Sequence, residues 1–486
     1  MSRRLTRREF VAASASAGAV LLLPGARVLG ANERINVAIM GCGNKGGGHL
    51  AGFSRIDGVR VVAVCDPDAH RAAAAARKLE TGVAAYQDFR RVLDDKGVNA
   101  VVIATPNHWH APMTILACRA GKHVYVEKPV SHCIAEGRRM VEVAHRTGRI
   151  VQAGTQQRSD PALRELAADL KAGKYGKVLW IHCSRLVARK PIGKVTAPTP
   201  VPKHIDYNLW AGPAPMTPVM RRHFHYDWHW QWNWGDGEVG NWAIHYLDDV
   251  RNILETHAVP RRVVAAGNRF AWDDDGQTPN MHMALFDLDG LPLVVDVRNL
   301  PDPARPAGKR PGGKSGAVYL KMRHGNFIMC EHAYIRIARG GGKSYDRKTD
   351  QPIKHYKGTG GSGHDVNFIN AIRSGRRSDL HAEIEVSHRS AILAHQANIG
   401  FRIGAAATPD EVRRSLKAHP DAVHTLADMI EQLDGVGVDL NRTPFVLGPR
   451  LCFDPERERF IGDHADAANR YLRYAYRAPF ERLLES

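Results

Sequence analysis

Three glycines, a lysine and a histidine are the residues around which chemistry could be built. Gly41, Gly43 and Gly46 have the spacing G-x-G-x-x-G within Gly41-Cys42-Gly43-Asn44-Lys45-Gly46. Such glycines permit a tight turn, close approach of a ligand to the backbone, and close packing of a helix on a strand. A helix starting there would offer unpaired N–H groups and a partial positive charge to a pyrophosphate. Asp66 follows Gly46 by 20 residues. Its carboxylate would accept hydrogen bonds from an adenosine ribose and repel a 2′-phosphate, which favours NAD, while nearby Arg71 keeps NADP open. The bland alternative is a glycine turn with a helix-capping Asp. Lys128 lies in Glu127-Lys128-Pro129. Partial burial would disfavour its ammonium, which suits a group that holds a substrate hydroxyl and supports proton transfer; the alternative is an ion pair at a strand exit.

The elements around these residues alternate. Arg34–Met40, Val59–Cys65, Val98–Ala104 and His123–Val126 are short apolar runs that read as buried strands. Helical stretches are expected from the glycine motif to about Ser54, over Ala69–Glu80 and over Ala111–Ala120. Alternation of this kind implies a parallel sheet covered on both faces. Thr105-Pro106-Asn107 and Glu127-Lys128-Pro129 then fall at carboxyl ends of strands, where open α/β sheets bind ligands. The expected cofactor set is Gly41, Gly43, Asn44, Lys45, Gly46, Asp66, Thr105, Pro106, Asn107, Glu127 and Lys128.

After about residue 150 the rhythm changes. Pro161–Ala172 reads as helix, Val178–Leu186 as strand, Lys190–Trp234 as a long Pro- and aromatic-rich stretch, and Gly240–Glu255 as helix. Arg262–Phe270, Met281–Phe286, Leu293–Val297, Ala317–Met322 and Phe327–Arg336 read as strands without intervening helices, hence a mainly antiparallel sheet. Residues 301–316 and 340–363 read as loops, Asp365–Ser374 and Glu383–Gly404 as helices, and 409–433 as helical. The expected organisation is a Rossmann-type α/β dinucleotide domain over 32–150, an α+β domain with an open-faced, mainly antiparallel sheet over 151–407, and a C-terminal extension over 408–486.

Residues 221–234 interleave Trp, Tyr and His with polar side chains. Aromatic faces stack on the C–H faces of sugar rings, so a carbohydrate or polyol pocket that includes Trp234 is the leading reading. His223, His225 and His229 could instead bind a metal, but irregular spacing and the lack of a partner set argue against a metal centre. An aromatic loop packed on the sheet or on a second subunit is the plainest alternative. Gln156, Gln157 and Arg158 follow the first strand past the cofactor domain and are expected near the nicotinamide or substrate. A spacing of four to eight residues places Asn241, His245, Asp248 and Asp249 near one helical face.

Thr105-Pro106-Asn107-His108-Trp109-His110, Ala120-Gly121-Lys122-His123-Val124 and Glu127-Lys128-Pro129 together resemble the glucose–fructose oxidoreductase/inositol dehydrogenase/MocA (Gfo/Idh/MocA) family. The resemblance runs from about Asn36 to Gly404. Leu447-Gly448-Pro449 through Pro479-Phe480 resembles extensions on exported bacterial members. The resemblance implies an NAD(P)-dependent oxidoreductase acting on a carbon of a sugar or cyclitol. It also implies a His on the 240–255 helix that takes the substrate hydroxyl proton, here His245, with Lys128 sharing the proton work. Asn241 departs from the acidic residue expected four positions earlier. Asn241 and Asp248 are expected to touch substrate. Two rivals remain: an NAD-dependent glycosidase that oxidises its substrate transiently, and a non-catalytic sugar binder. Family members pair through the open face of the antiparallel sheet, so a homodimer or homotetramer is expected.

The formal net charge of +18 first suggests nucleic acid. Residues 1–31 carry five arginines against one glutamate, so the remainder is near +14. It has no long basic block and no zinc-finger or RNA-binding motif, so no nucleic-acid partner is expected. Thr6-Arg7-Arg8-Glu9-Phe10-Val11 has twin-arginine form and precedes the apolar run Val11–Leu23, which is too short to span a membrane comfortably. Export to the periplasm without a stable membrane anchor is expected, carrying a folded enzyme with its cofactor. The seven cysteines contain no CxxC pair and define no disulfide framework.

Overall fold

The apolar runs at the start of the chain pair side by side because each has two faces to bury. In the computed structural model, which describes residues 34–79, 82–303 and 316–485, they form β1 (Ile35–Met40), β2 (Val59–Cys65), β3 (Ala84–Tyr86), β4 (Ala100–Ile103), β5 (His123–Val126) and β6 (Val151–Ala153). All are parallel, in the order β3-β2-β1-β4-β5-β6. Alternate residues of β1 point to opposite sides. Ala38 and Met40 enter one apolar core, and Ile35, Val37 and Ile39 enter the other. A strand buried on both faces must be apolar throughout, which is why these runs lack polar alternation. The strand order reverses between β1 and β4, and the crevice at that reversal lies beyond their carboxyl ends. β6 carries this sheet past residue 150.

The second sheet is built from β7 (Val178–Leu186), β8 (Arg262–Asn268), β9 (Met281–Leu288), β10 (Leu291–Arg298), β11 (His324–Cys330), β12 (Ala333–Ala338), β13 (Gly341–Asp346) and β14 (Pro352–Lys357). β7 and β10 run parallel, and the other pairs are antiparallel. One face packs on the helices Ile244–Ile253 and Ile384–Arg402 through Ile181, Val263, Ala265 and Val295.

Three sequence expectations are corrected here. Ala317–Met322 is not a strand; Leu320 and Lys321 take positive φ in a tight turn closed by a Tyr319–Met322 bridge. Phe327–Arg336 breaks into two strands, β11 and β12, which form a hairpin. Residues 340–363 hold a further hairpin, β13–β14, rather than a loop; Gly341 and Gly342 lie against neighbouring backbone where a Cβ would approach within 2.2 Å.

The open face of this sheet is covered in part by the C-terminal extension, over β8–β10. The last part of the chain adds β15 (Ala405–Ala407), β16 (Phe445–Leu447), β17 (Leu451–Asp454) and β18 (Arg459–Ile461), with β16 and β17 pairing on β8. Two helices, Pro409–Leu416 and Pro420–Gly435, lie on the sheet's other face. Leu426, Met429 and Leu433 pack there on Val264, Met283, Leu285 and Val294. The first helix opens with a capping box of Thr408 and Glu411, and Pro420 begins the second. Beyond residue 470 the chain returns to the first domain. Tyr474 stacks on His132 at 4.4 Å, Phe480 meets Trp109 edge-on at 5.4 Å, and Tyr476 Oη donates to Glu136 Oε1 at 2.5 Å.

Among the described residues no helix is long and apolar enough to cross a membrane. The twin-arginine segment lies outside the described residues. All seven cysteines are free.

The packing of the C-terminal helix on the sheet predicts the cost of truncating it. Leu426 is fully buried. Leu426→Ala is expected to destabilise the protein by about 2–4 kcal/mol, read as a lowered denaturation midpoint in urea. An unchanged midpoint would separate this helix from the core.

Candidate active site

Five strand ends of the first sheet converge on one cleft of about 470 Å³. β1 ends at Gly41, whose φ is +90°; a Cβ there would lie 2.5 Å from the Ala104 carbonyl oxygen. A Cβ on Gly46 would lie 1.7 Å from the Gly41 carbonyl, so only glycine lets this helix close on its strand. Gly43 is the N-cap of helix Asn44–Phe53 and provides no side-chain cap, which leaves the first N–H groups facing the cleft mouth. β2 ends at Asp66, 5% exposed, whose carboxylate accepts N–H bonds from Cys42 (2.8 Å) and Asp68 (3.0 Å). Burial pushes its pKa up against those bonds. Thr105 follows β4, and its Oγ1 is buried with no protein partner among the described residues. Uncapped amides, a glycine loop that excludes Cβ atoms, a buried carboxylate at the next strand end and an orphaned hydroxyl fit a dinucleotide. The Gly41–Gly46 loop would hold its pyrophosphate, and Asp66 its adenosine ribose. Arg71 also lines the cleft, beside Gly43.

β5 delivers Glu127 and Lys128. Glu127 is buried, and its Oε1 lies 2.9 Å from His49 Nε2, 3.1 Å from Lys45 Nζ and 3.1 Å from Gln156 Nε2. Burial opposes its ionisation, but Lys45, His49 and Lys128 outweigh that cost and hold the carboxyl well below its usual range. Gly154 permits this arrangement, because a Cβ there would lie 2.7 Å from the same oxygen. The half-buried Lys128 Nζ donates to the Asn241 carbonyl at 2.5 Å and to Asn241 Oδ1 at 3.4 Å. Burial lowers its pKa to about 8, with Glu127 opposing that shift. The Lys128–Pro129 peptide is cis.

The segment read as one helix over 240–255 is a π-helical turn, Val239–Ala243, running into the α-helix Ile244–Ile253. Asn241, Trp242 and His245 line the cleft, but Asp248 and Asp249 point to the other side. Asp248 is an ion-pair partner of Arg158, Nε to Oδ2 at 2.8 Å, and Asp249 accepts from Gln157 Nε2 at 2.6 Å. Arg158, Gln157 and Asp248 are therefore buried packing groups and do not line the cleft; of the three residues expected there, Gln156 does. His245 has no hydrogen-bond partner among the described residues, and burial together with the Lys128 charge holds its pKa well below the ordinary imidazole value.

Asn107 lines the cleft, but its Nδ2 donates to Asp236 Oδ2 at 2.7 Å; His132 Nδ1 lies 3.0 Å from Asp236 Oδ1. This buried link fastens the second domain to the first. Trp234 does not reach the cleft. It is buried against Trp210 and His108 at 4.9 and 5.0 Å. The aromatic wall is supplied instead by Trp109, Trp210, Tyr226, Trp228 and Trp242. Sequence reasoning did not place Arg339, which reaches the cleft from the turn after β12, or His49, one helical turn beyond Lys45. The i, i+4 spacing of Lys45 and His49 was the available signal for His49; Arg339 had none.

Residues 35–155 match the family model described as oxidoreductase family, NAD-binding Rossmann fold, and residues 190–319 match its C-terminal alpha/beta domain. The chain belongs to the Gfo/Idh/MocA family. Similar proteins include inositol 2-dehydrogenase 4 of Saccharopolyspora erythraea, 37% identical over 164 residues, which are 33% of this chain and 48% of that protein. The scyllo-inositol 2-dehydrogenase (NAD(+)) of Bacillus subtilis is 34% identical over 150 residues, 30% of this chain and 43% of that protein. The chain thus matches about half the length of these curated relatives. The Gfo/Idh/MocA fold recurs in the WlbA dehydrogenase of Bordetella pertussis, solved with NADH and UDP-GlcNAcA, at a TM-score of 0.53 and 19% identity over 75% of this chain and 97% of that one. It recurs too in a putative NADPH-dependent oxidoreductase of Desulfitobacterium hafniense, at a TM-score of 0.56 and 15% identity over 75% and 95% of the two chains.

Two outcomes follow from this geometry. Gly46→Ala is expected to weaken NADH binding at least about tenfold, or 1.4 kcal/mol, measured by nucleotide fluorescence; retained affinity would remove the loop from the binding site. Glu127→Gln is expected to move the pH profile of Lys128 acylation, followed by peptide mass spectrometry, below its midpoint near 8, because the carboxylate that favours the ammonium is gone.

Proposed function

We propose that the protein is an NAD(P)-dependent oxidoreductase that acts on a hydroxyl-bearing carbon of a sugar or cyclitol, with NAD the favoured cofactor. The observation carrying this reading is that Lys128 and the unpartnered His245 open onto the same cleft as the glycine loop. When bound, the nicotinamide accepts or returns a hydride at the substrate carbon. The chain's own groups manage the oxygen and its proton. Lys128, fixed by Asn241, offers its remaining N–H bonds to the substrate oxygen, and His245, neutral through burial, takes the proton. The amide of Asn241 orients the lysine rather than charging the histidine. Trp210 and Trp228 add aromatic surface to the cleft wall, and Trp242, 5.7 Å from His245 between ring centroids, closes the side nearest the base. Similarity to two inositol dehydrogenases supports the substrate class. We place the enzyme in the periplasm on the strength of the Arg7-Arg8 motif, and we expect a homo-oligomer.

A second reading is favoured by one observation. The 199–234 segment lies across the adenosine end of the cleft, with Ala69 N–H donating to the His204 carbonyl at 2.9 Å and Asp206 N–H to the Pro67 carbonyl at 2.9 Å. A cofactor enclosed in this way suits redox-neutral glycoside cleavage, in which the substrate is oxidised, eliminates its aglycone as the alcohol, adds water at the vacated carbon and is re-reduced by the same cofactor. Multiple turnovers to free sugar from glycosides without added NAD would select this reading.

Lys128→Ala and His245→Ala are each expected to lower kcat by about 10²–10⁴ with NADH affinity retained; unaltered turnover in both would end the assignment. With an ammonium required, the rate should fall as pH rises through about 8. It should not fall as pH drops through the ordinary histidine range, because His245 is neutral well below it.

A further inference from the structure

The long segment between β7 and the π-helical turn meets the first domain at a cluster of imidazoles around one carboxylate, outside the residues assigned to the reaction. Asp68, three residues past β2, is 4% exposed. Its Oδ1 accepts the N–H groups of His70 and Arg71, at 2.9 and 3.2 Å, as the N-cap of helix Ala69–Ala76. Its Oδ2 turns outward, 3.8 Å from His204 Nε2 and 2.9 Å from His225 Nε2. The rings of His70 and His204 stack at 3.9 Å with 13° between their planes. Donor atoms of Asp68, His70 and His204 all lie within 4.8 Å of one another.

From this cluster we infer that Asp68, His70 and His204 form a binding site for a divalent transition-metal ion of the zinc class, which clasps the 190–234 segment to the dinucleotide domain. Ligand atoms about 2.0–2.1 Å from a tetrahedral zinc stand roughly 3.3 Å apart, so the donors, now within 4.8 Å of one another, close on the ion as the two imidazoles turn out of their stack and direct their ring nitrogens to one point. Two imidazoles and a carboxylate select zinc or its first-row neighbours over magnesium or calcium, which prefer oxygen alone. His225 holds the carboxylate oxygen that would face the metal, the arrangement that orients a ligand from the outer sphere. Arg71 Nε is 3.9 Å from Asp68 Oδ2, beyond hydrogen-bond reach, and does not occupy the oxygen.

The backbone prepares the site. His204 accepts through its carbonyl from Ala69 N–H at 2.9 Å and from Gln87 Nε2 at 3.2 Å, and Gln87 also donates to the Pro67 carbonyl at 3.1 Å. These bonds fix the backbone of the 199–234 segment against the first domain, so the ion would add to a contact already made. The inference stands apart from which substrate the cleft takes.

The test is equilibrium dialysis of the untagged full-length protein against Zn(II), with metal counted by mass spectrometry, and replacement by Co(II) to read its visible d–d bands. One ion per chain and tetrahedral cobalt bands are expected, with both lost in the His70→Ala/His204→Ala double variant. Substoichiometric uptake, or uptake that the double substitution leaves unchanged, overturns the site. Limited trypsin digestion then reads the clasp. Chelation should speed cleavage at the exposed Lys194 and Lys203 several-fold in the parent chain and not in the double variant; a rate that chelation does not alter overturns the clasp.

Discussion

The buried carboxylate of Glu127 is the interaction on which the site depends. A negative charge 3% exposed at the end of a central strand is costly unless several donors surround it. Here they come from three directions: Lys45 and His49 from the first helix, Gln156 from the loop after β6, and the main-chain N–H of Lys128 from its own strand. Each donor fixes an element that borders the cleft. The same charge moderates the fall in the Lys128 pKa, leaving it near 8 rather than lower. The amine is thereby kept close to working pH, where both of its forms are accessible.

A second buried carboxylate, Asp236, does for the domain boundary what Glu127 does for the first sheet. It takes Asn107 from the end of β4, and it lies 3.0 Å from His132, whose other face stacks on Tyr474 of the C-terminal tail. One acid therefore joins the dinucleotide domain, the turn that leads to His245, and the end of the chain. Displacement of any of the three would move the proposed base relative to the lysine. The tail is thus part of the frame that positions the site, although no described residue beyond 407 lines the cleft.

The second sheet carries the π-helical turn on one face and the C-terminal helix Pro420–Gly435 on the other. That helix covers the β8–β10 region. The β11–β13 end shows instead a row of stacked rings, Trp180, Phe327, Tyr334 and Tyr345, spaced 5.0–5.4 Å apart. Arg336 lies over Tyr345 at 4.2 Å, a cation–π contact.

What the sequence determined by itself were the features set by local sterics and by periodicity. The β-branched runs had to be strands buried on both faces, and Gly41 and Gly46 had to be glycine, because a Cβ at either would strike backbone carbonyl oxygens. Asp66, Asn107, Glu127 and Lys128 then had to lie at strand ends on one side of the sheet, and the family's motifs follow from that placement. Tertiary structure decided whatever depended on phase or on distant partners. The cleft wall received Asn241 and His245, while Asp248, on the same α-helix as His245, was taken by Arg158, a partner that no local pattern announces. Trp234 went into the packing because Trp210 and His108 were there to receive it. Glycine-rich 340–363 became a hairpin because the edge of β12 offered hydrogen bonds that no local pattern records. Asp68, His70, His204 and His225 are spread over 158 residues, and only the fold brings them to one point.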